Sequence, residues 1–268
     1  MSQSEVKQSI STRLSSQLDT YLQSPDPSET LLMNELSEQL KAEGKTIYKF
    51  GFGQSPFSPP QVVVDALREH SECHDYLPVQ GYQPLRESIA SFYKQTCGID
   101  MAADEVFIAN GSKQLIFNIM AIFKEADVIL NTPSWVSYEP QAKLIGHPVI
   151  RLNTSYDTKW HITPNLLKEA LSNRPDQNRP AIMILNSPGN PDGCTYSEEE
   201  LSAIADVCRE FDVLVIADEI YNLLTHNGKP NSISKYYPEA TIVTTGLSKW
   251  CGAGGWRLGV ALVPRSLG

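Results

Sequence analysis

The stretch GLSKWCGAGGWRLG, residues 246–259, carries two ionisable side chains, Lys249 and Arg257, among glycines, tryptophans and other mostly apolar residues. A charge in partly apolar surroundings is costly unless it meets an anion or takes part in a reaction. The pair therefore indicates a site for an anion or for a reaction. The alternative is that both side chains extend to water from an ordinary surface loop.

Other motifs place polar groups where they could act on a ligand. In VIADEIYNLL, Asp218 directly follows an apolar run, where a partly desolvated carboxylate needs a cationic partner such as a protonated ring nitrogen. In ANGSKQLIFNIMAIF, Gly111 and Ser112 stand where a helix begins, and free amides at a helix N-terminus bind phosphate. Both motifs also have a structural interpretation. Asp218 could cap a helix that begins at Glu219, and Asn110 or Ser112 could cap the helix that follows them.

Two further motifs are weaker when taken alone. TPSWVSYEP supplies Trp135, which could stack on a flat ligand or pack the edge of a core. NSPGNPDG is a turn rich in side-chain amides and includes Asn190. The glycine spacings of nucleotide-binding loops do not occur around Gly111.

All five motifs follow apolar runs that alternate with loops and helical segments from about residue 104. The runs are VFIA, DVILN, HPVIRL, AIMIL, VLVIA, TIVTT and GVALV. Apolar runs without polar alternation are typical of parallel strands buried on both faces. The sequence therefore predicts an α/β fold, a three-layer large domain with a seven-stranded, mostly parallel sheet. Ligands of such sheets bind beyond the carboxyl ends of the strands, which is where the motifs lie.

Helix signals flank these runs. Ser58 followed by Pro59 predicts a helix start, and Gly98 predicts the end of the helix in GYQPLRESIASFYKQTCG. In SEEELSAIADVCREF, Ser197 and Glu200 predict a capping box at the start of a crossover helix.

Composition limits the classes of function. A chain of 268 residues with 41% hydrophobic residues can bury a sizeable core, and its net charge of -9 disfavours nucleic-acid binding. Five scattered cysteines indicate neither a disulfide framework nor a metal site. No apolar run approaches the roughly 20 residues that cross a bilayer. A cytoplasmic location is predicted, with organellar targeting as a minor alternative because the first residues are rich in serine.

Taken together and in order, the motifs NGSK, PSW, NSPGNPDG, DEIY and SKWCGAGGWRLG resemble the class I/II aminotransferases of the aspartate aminotransferase-like superfamily. The resemblance covers roughly residues 45–265. It implies the cofactor pyridoxal 5'-phosphate, a flat ring with a phosphate and a carbonyl, and one such ligand would account for all five motifs. The implied activity moves an amino group from an L-amino acid to a 2-oxo acid.

The resemblance also implies individual roles. Lys249 is the catalytic lysine that forms the Schiff base with the cofactor, and Asp218 pairs with the ring nitrogen. Tyr221 and Asn190 are implied to contact the ring oxygen, and Trp135 is implied to lie on the ring face. The implied contacts with the phosphate are Gly111, Ser112, Lys113, Ser248 and Arg257. Lys249 thus reacts and Arg257 anchors the phosphate. No metal is implied.

Further contacts implied by the resemblance involve substrate and a second subunit. Gly53, in GFGQSPF, matches a loop that touches the substrate carboxylate, and Trp135 and Asn190 also face the substrate. Tyr76, in HDYLPVQGYQPLR, matches a tyrosine that reaches the phosphate of the partner subunit. A homodimer with shared sites is therefore expected.

The chain departs from the family pattern at three points. Asp192 stands where the family usually has threonine, and the turn is expected to survive because Asp is a good turn residue. Gly246 stands where many members bind phosphate with Ser or Thr, and Thr245 or Ser248 could take that role. The third departure is that the chain stops at Gly268, before the family's C-terminal small domain and its carboxylate-binding arginine.

The predicted organisation is an N-terminal extension at 1–45, part of a small domain or linker at 46–75, and the cofactor-binding large domain at 76–268, with the C-terminal small domain absent. Two alternatives stay open at this point. One is a lyase of the same superfamily that makes a cyclopropane amino acid. The other is a truncated protein that binds the cofactor without catalysis.

Overall fold

The computed structural model describes residues 29–48, 53–226 and 230–268. It divides into two compact units, Met1–Gly53 and Gln54–Gly268. In the first unit, helix α1 spans Glu29–Ala42. The predicted domain boundaries after residues 45 and 75 stay predictions.

The second unit is built on one seven-stranded sheet. Its strands are β1 Val106–Ala109, β2 Asp127–Thr132, β3 Val149–Asn153, β4 Ala181–Asn186, β5 Val213–Asp218, β6 Thr241–Gly246 and β7 Gly259–Leu262. They lie in the order β1-β7-β6-β5-β4-β2-β3. Four neighbouring pairs are parallel, and β7 is antiparallel to both β1 and β6. The predicted α/β fold is confirmed, and each of the seven apolar runs forms a strand.

Helices cover both faces of this sheet. Helix α2, Gln61–Glu69, buries no residue, and the helices on the sheet are α3 Gln83–Cys97, α4 Ser112–Ala121, α5 Tyr138–Leu144, α6 Pro164–Ser172 and α7 Glu198–Glu210. One apolar core lies between the sheet and α3, α6 and α7, and a second lies between the sheet and α4 and α5. Successive residues of β5 enter opposite cores, with Val215 in the first and Ile216 in the second. The predicted three layers are therefore present.

The helix signals are confirmed at two places and wrong at a third. Oγ of Ser197 accepts from the N–H of Glu200 at 3.2 Å, and Oε2 of Glu200 accepts from the N–H of Ser197 at 2.8 Å, which completes the capping box of α7. Gly98 ends α3 in a left-handed conformation. Helix α2 begins at Gln61 with Pro60 as its N-cap, two residues later than predicted. The reason is that a residue preceding proline is disfavoured in the helical conformation.

The strand directions bring the predicted motifs to one edge of the sheet. Strands β2, β4, β5 and β6 are parallel, so their last residues, Thr132, Asn186, Asp218 and Gly246, lie along the same edge. Strand β1 points the same way because it is antiparallel to β7, and Ala109 ends it there. The loops after these five strands carry the polar motifs.

Within the described residues, no helix has the length and apolar character that a bilayer-crossing helix needs. The predicted cytoplasmic location rests on the sequence alone. Of the five cysteines, which are all free thiols, Cys73 is exposed and the others are buried. Over the same described ranges, no group of three or more His, Cys, Asp or Glu side chains is arranged to hold a metal ion.

Candidate active site

Asp218 is a buried carboxylate at this edge, with an exposed fraction of 2%. Its Oδ2 accepts a hydrogen bond from the phenol of Tyr138 at 2.6 Å, and its Oδ1 accepts one from the N–H of Ile220 at 3.3 Å. Burial raises the pKa of Asp218 to about 6, although the Tyr138 hydrogen bond and the positive charge of Lys249 act in the opposite direction. A cation beside this group would stabilise its ionised form.

The interpretation of Asp218 as a helix cap is wrong. After β5 the chain forms a turn and a short 3₁₀ helix, Asn222–Leu224, and no α-helix begins at Glu219. The side chain of Asp218 is directed instead towards Tyr138, in the core that lies against α5.

Lys249 lies half-buried in the loop between β6 and β7. Its Nζ is 5.5 Å from the centre of the Tyr221 ring. The hydroxyl of Tyr221 in turn accepts a hydrogen bond from Nδ2 of Asn190 at 3.4 Å. Burial lowers the pKa of Lys249, although the negative charge of Asp218 opposes this effect. A lowered pKa favours the neutral amine, which is the nucleophilic form.

The loop that carries Lys249 is closed by the sheet itself, because Gly246 of β6 pairs with Gly259 of β7. A Cβ on Gly246 would meet the carbonyl oxygen of Leu258, so the position favours glycine over the family's Ser or Thr. Thr245 is 2% exposed, and its Oγ1 accepts from the phenol of Tyr93 at 3.0 Å. It therefore faces the core, whereas Ser248 is half-buried in the loop.

Helix α4 presents an uncapped N-terminus. Its N-cap is Gly111, at φ +92°, with no side-chain cap, so the interpretation of Asn110 or Ser112 as the cap is wrong. A Cβ on Gly111 would collide with Nη2 of Arg257, and a Cβ on Gly259 would collide with the backbone at Gly111. The two glycines therefore allow the Arg257 loop to lie directly against the start of α4.

Two cations stand at this helix start. Arg257 has a left-handed backbone, at φ +60°, and donates hydrogen bonds to the carbonyls of Asn110 at 3.1 Å and Gly254 at 2.7 Å. Burial, and to a lesser degree the charge of Arg257, lower the pKa of Lys113. In the part of the chain that the structure describes, neither cation forms an ion pair with a carboxylate. Two such cations beside free helix amides form a site for a small anion.

Two aromatic rings, Trp135 and Tyr138, lie between Lys113 and Asp218. Nζ of Lys113 lies 5.0 Å from the centre of the Trp135 ring. Trp135 makes an edge-on contact with Tyr138, with ring centres 5.2 Å apart, and Tyr138 donates to Asp218. The anion site and the buried carboxylate are thus parts of one continuous arrangement.

The turn that carries Asn190 is held by two side chains. Oδ1 of Asn186 accepts from the N–H of Asn190 at 2.8 Å, and Nδ2 of Asn186 donates to the carbonyl of Asp218 at 2.8 Å. Oδ1 of Asp192 accepts from the N–H of Cys194 at 2.8 Å. The expectation that the turn survives with aspartate at this position is confirmed.

The structure also describes two predicted residues that are implied to contact the substrate or a second subunit. The side chain of Tyr76 is fully exposed, at 106% of its reference area, and Gly53 belongs to the first compact unit. Sequence reasoning also missed Tyr138 and Asn186. Asn186 could have been found, because it is the polar residue that ends an apolar strand, whereas nothing in the TPSWVSYEP motif indicates the contact of Tyr138 with Asp218.

Comparisons with known proteins point to one family. The family model for aminotransferase class I and II matches residues 45–267. The aspartate aminotransferase of Bacillus subtilis (strain 168) is 35% identical over 88% of this chain, and the aspartate/prephenate aminotransferase of Thermus thermophilus is 30% identical over 93% of it. The structure of an aspartate aminotransferase from Thermus thermophilus with maleate matches 92% of the chain with a TM-score of 0.86 and 29% identity. The chain spans 61%, 65% and 64%, respectively, of the lengths of these three proteins.

Proposed function

We propose that this chain, which belongs to the class I and II aminotransferases, takes part in the transfer of an amino group from an L-amino acid to a 2-oxo acid. Members of this family are pyridoxal-phosphate enzymes. The observation that carries the proposal is the arrangement at one sheet edge of a buried carboxylate, Asp218, an amine of lowered pKa, Lys249, and two cations at a helix start.

The residues of this edge fit pyridoxal 5'-phosphate. Lys113, Arg257 and the first amides of α4 would hold the phosphate, because they offer positive charge that no described carboxylate neutralises. Asp218 would hold the protonated ring nitrogen, because its burial calls for a cationic partner. Trp135 would lie against the ring, and the remaining proposed contacts are Gly111, Ser112 and Ser248 at the phosphate and Asn190 and Tyr221 at the ring oxygen.

The cofactor, when bound, supplies an electron sink for the bonds at the substrate α-carbon. Lys249 Nζ would bind the cofactor aldehyde covalently and later move the proton away from the substrate α-carbon. Its lowered pKa supports both tasks, since each requires the neutral amine. Asp218, fixed by Tyr138, would hold the proton on the ring nitrogen, and Tyr221 and Asn190 would orient the ring through its oxygen.

The proposal includes a homodimer in which Tyr76 reaches the partner's phosphate site. The full exposure of Tyr76 supports this role, because a side chain that serves a second subunit projects away from its own. Gly53 is proposed to contact the substrate carboxylate, together with Trp135 and Asn190. The similarity to an aspartate aminotransferase and an aspartate/prephenate aminotransferase favours L-aspartate as the first amino donor to test.

An absorbance titration tests the function. Purified protein is mixed with pyridoxal phosphate and then with L-aspartate, other amino acids and 2-oxo acids, beside Lys249→Ala and the surface control Lys168→Ala. We expect a visible band that requires Lys249, that converts on addition of an amino donor, and that is accompanied by release of the matching 2-oxo acid. Conversion without 2-oxo acid would favour the lyase, a band that never converts would favour a binding protein, and no band in folded protein would overturn the cofactor assignment.

A further inference from the structure

Strand β5 is followed by a second buried carboxylate that the proposed function does not use. Glu219, next to Asp218, has an exposed fraction of 3%. Asp218 faces Tyr138 in the core against α5. The charge of Glu219 instead helps to raise the pKa values of Tyr93 and Cys97 of α3, which line the opposite core. The two carboxylates thus lie on opposite faces of the sheet.

Glu219 closes the turn in which Tyr221 lies. Its Oε2 accepts a hydrogen bond from Nδ2 of Asn222 at 2.6 Å, and its carbonyl accepts from the N–H of Asn222 at 3.0 Å. Its own N–H donates to the carbonyl of Thr244 in β6 at 2.8 Å. Asn222 is 2% exposed, so this contact is protected from water. Tyr221 is therefore carried on a turn that is fixed by a side chain and by the main chain.

The same carboxylate also holds the returning segment of the chain. Ser232 hydrogen-bonds Glu219, and the hydroxyl of Ser232 lies 2.7 Å from that of Ser234. Both serines are buried. Glu219 consequently links the beginning of the connection between β5 and β6 to Ser232, nearer its middle.

The orientation of Tyr221 must come largely from this turn. The hydrogen bond to the Tyr221 hydroxyl from Asn190 is long, at 3.4 Å, and a bond of that length is weak. The ring is only half-buried, so packing fixes it incompletely. The Glu219–Asn222 hydrogen bond is short and protected from water, so it constrains this turn more strongly than the Asn190 hydrogen bond constrains the Tyr221 hydroxyl.

We propose that Glu219 is a positioning residue, which acts through Asn222 to direct the Tyr221 hydroxyl towards Asn190 and the ring oxygen of the cofactor. The inference rests on the proposed function, because it concerns the same cofactor site. Burial raises the pKa of Glu219 to about 7, and the charged groups that influence it are Lys235 and Asp218. Either protonation state leaves an oxygen that accepts from Asn222.

A measurable consequence follows from the role of Tyr221. A phenol that donates to the ring oxygen stabilises the ionised form of the bound chromophore and so lowers the pH midpoint of its absorbance titration. A displaced Tyr221 loses that hydrogen bond. We therefore expect the midpoint to rise when the Glu219–Asn222 contact is removed.

The test compares pH titrations of the Lys249-dependent band in four variants. Asn222→Ala and Glu219→Ala should each raise the midpoint by roughly one pH unit, the tenfold change expected for one lost hydrogen bond. The double variant should rise no further, because both changes break one contact. Glu219→Gln, which keeps an accepting oxygen and the side-chain size, should stay close to wild type.

Ser234→Ala is the matched control, because it removes a buried hydroxyl that contacts Ser232 and not Glu219 or Asn222 in the hydrogen bonds described above. It should lower stability without moving the midpoint. Cofactor-loaded Asn222→Ala with an unchanged midpoint would overturn the inference, and so would a shift of equal size in Ser234→Ala.

A cofactor-free measurement separates failure of the inference from failure of the proposed function. In protein labelled with 13C at the tyrosine ring, the Tyr221 resonance is assigned by its loss in Tyr221→Phe. It should shift in Asn222→Ala and Glu219→Ala and stay in place in Ser234→Ala. Absence of the visible band in wild type would overturn only the cofactor assignment, whereas an unmoved Tyr221 resonance in Asn222→Ala would overturn the positioning role.

Discussion

The phenol of Tyr138 donates a 2.6 Å hydrogen bond to Asp218, across a sequence separation of 80 residues. Both side chains are 2% exposed, so water cannot replace this donor. A hydrogen bond to a charged group is worth about 1.5–3 kcal/mol, and a buried acceptor that loses its donor keeps the full cost of desolvation. The ionised state of Asp218 therefore depends on Tyr138.

Replacement of Tyr138 by Phe should weaken cofactor binding by about 10- to 100-fold, the range that corresponds to the loss of this bond. The variant keeps the ring that packs edge-on against Trp135, so the change is confined to the hydroxyl. Fluorescence titration with pyridoxal phosphate measures the dissociation constant. Tyr156→Phe, at an exposed tyrosine, is the control and should bind as wild type does. Equal affinities of Tyr138→Phe and wild type would contradict the role given to the phenol.

The stability of the cofactor-free protein should fall as pH rises from about 4 to 7, through the contributions of Asp218 and Glu219. Burial raises their pKa values to about 6 and about 7, from ordinary values of 3.8 and 4.5. Below about pH 3 both groups are largely protonated in the folded and the unfolded chain. As pH rises, the unfolded chain loses these protons first, so the free energy of unfolding decreases until the folded pKa values are passed. A difference of roughly two pH units between the folded and the unfolded pKa corresponds to a change of about 3 kcal/mol in the free energy of unfolding for each group, as an upper limit.

Urea unfolding at a series of pH values measures this effect. Asp218→Asn and Glu219→Gln should each flatten the pH dependence over that window, and the double variant should flatten it most. Surface carboxylates with lowered pKa values, such as Asp104, contribute with the opposite sign in all of these proteins. The comparison therefore uses the difference in free energy of unfolding between variant and wild type at each pH. Parallel curves for wild type and the double variant would show that neither carboxylate is held protonated by the fold.

Gly111→Ala should lose cofactor affinity as well as stability. The substitution strains a backbone at φ +92° and places a methyl group against the guanidinium of Arg257. Gly146→Ala is the control, because its φ is also positive, at +79°, and no neighbouring atom lies within 4 Å of the new carbon. Gly146→Ala should lose about 1–2 kcal/mol of stability from backbone strain, and Gly111→Ala should lose more, because φ +92° with ψ 156° is a conformation that essentially only glycine adopts. Only Gly111→Ala should bind pyridoxal phosphate tenfold or more weakly, as measured by equilibrium dialysis.

Asp192→Asn should preserve the Asn190 turn, whereas Asp192→Ala should loosen it. The amide oxygen of Asn can accept from the N–H of Cys194 as the carboxylate does, and Ala cannot. The expected stability losses are below about 0.5 kcal/mol for Asn and about 1 kcal/mol for Ala. Thermal unfolding followed by circular dichroism gives both values. A large loss in Asp192→Asn would indicate that the negative charge, rather than the hydrogen bond, holds the turn.

The strands and the order of the motifs could be predicted from the sequence because their signals are local. The run VLVIA is apolar at every position, which is typical of a strand buried on both faces, and it forms most of β5. The capping box of α7 is equally local, since Ser197 and Glu200 are three residues apart. Asp218 was predicted for a related reason, because a carboxylate directly after such a strand stands out against its neighbours.

The contacts that complete the site could not be predicted in this way, because they join distant parts of the chain. Nothing near Tyr138 in the sequence indicates that its hydroxyl meets Asp218, and the contact exists only once β5 and α5 share a core. Gly246 also departs from the family pattern because of a residue elsewhere in the chain, Leu258, whose carbonyl lies just before the neighbouring strand β7. Such determinants require the three-dimensional register of the strands.

The pairing of Gly246 with Gly259 bears on the order in which the site assembles during folding. The two glycines bracket the loop that carries Lys249 and Arg257, and the antiparallel pairing of β6 with β7 closes that loop. Closing a short loop costs little chain entropy, so we expect this reactive half of the site to form early and locally. The half that contains Asp218 and Tyr138 needs contacts across 80 residues and should form last, which makes the proposed ring pocket a late product of folding.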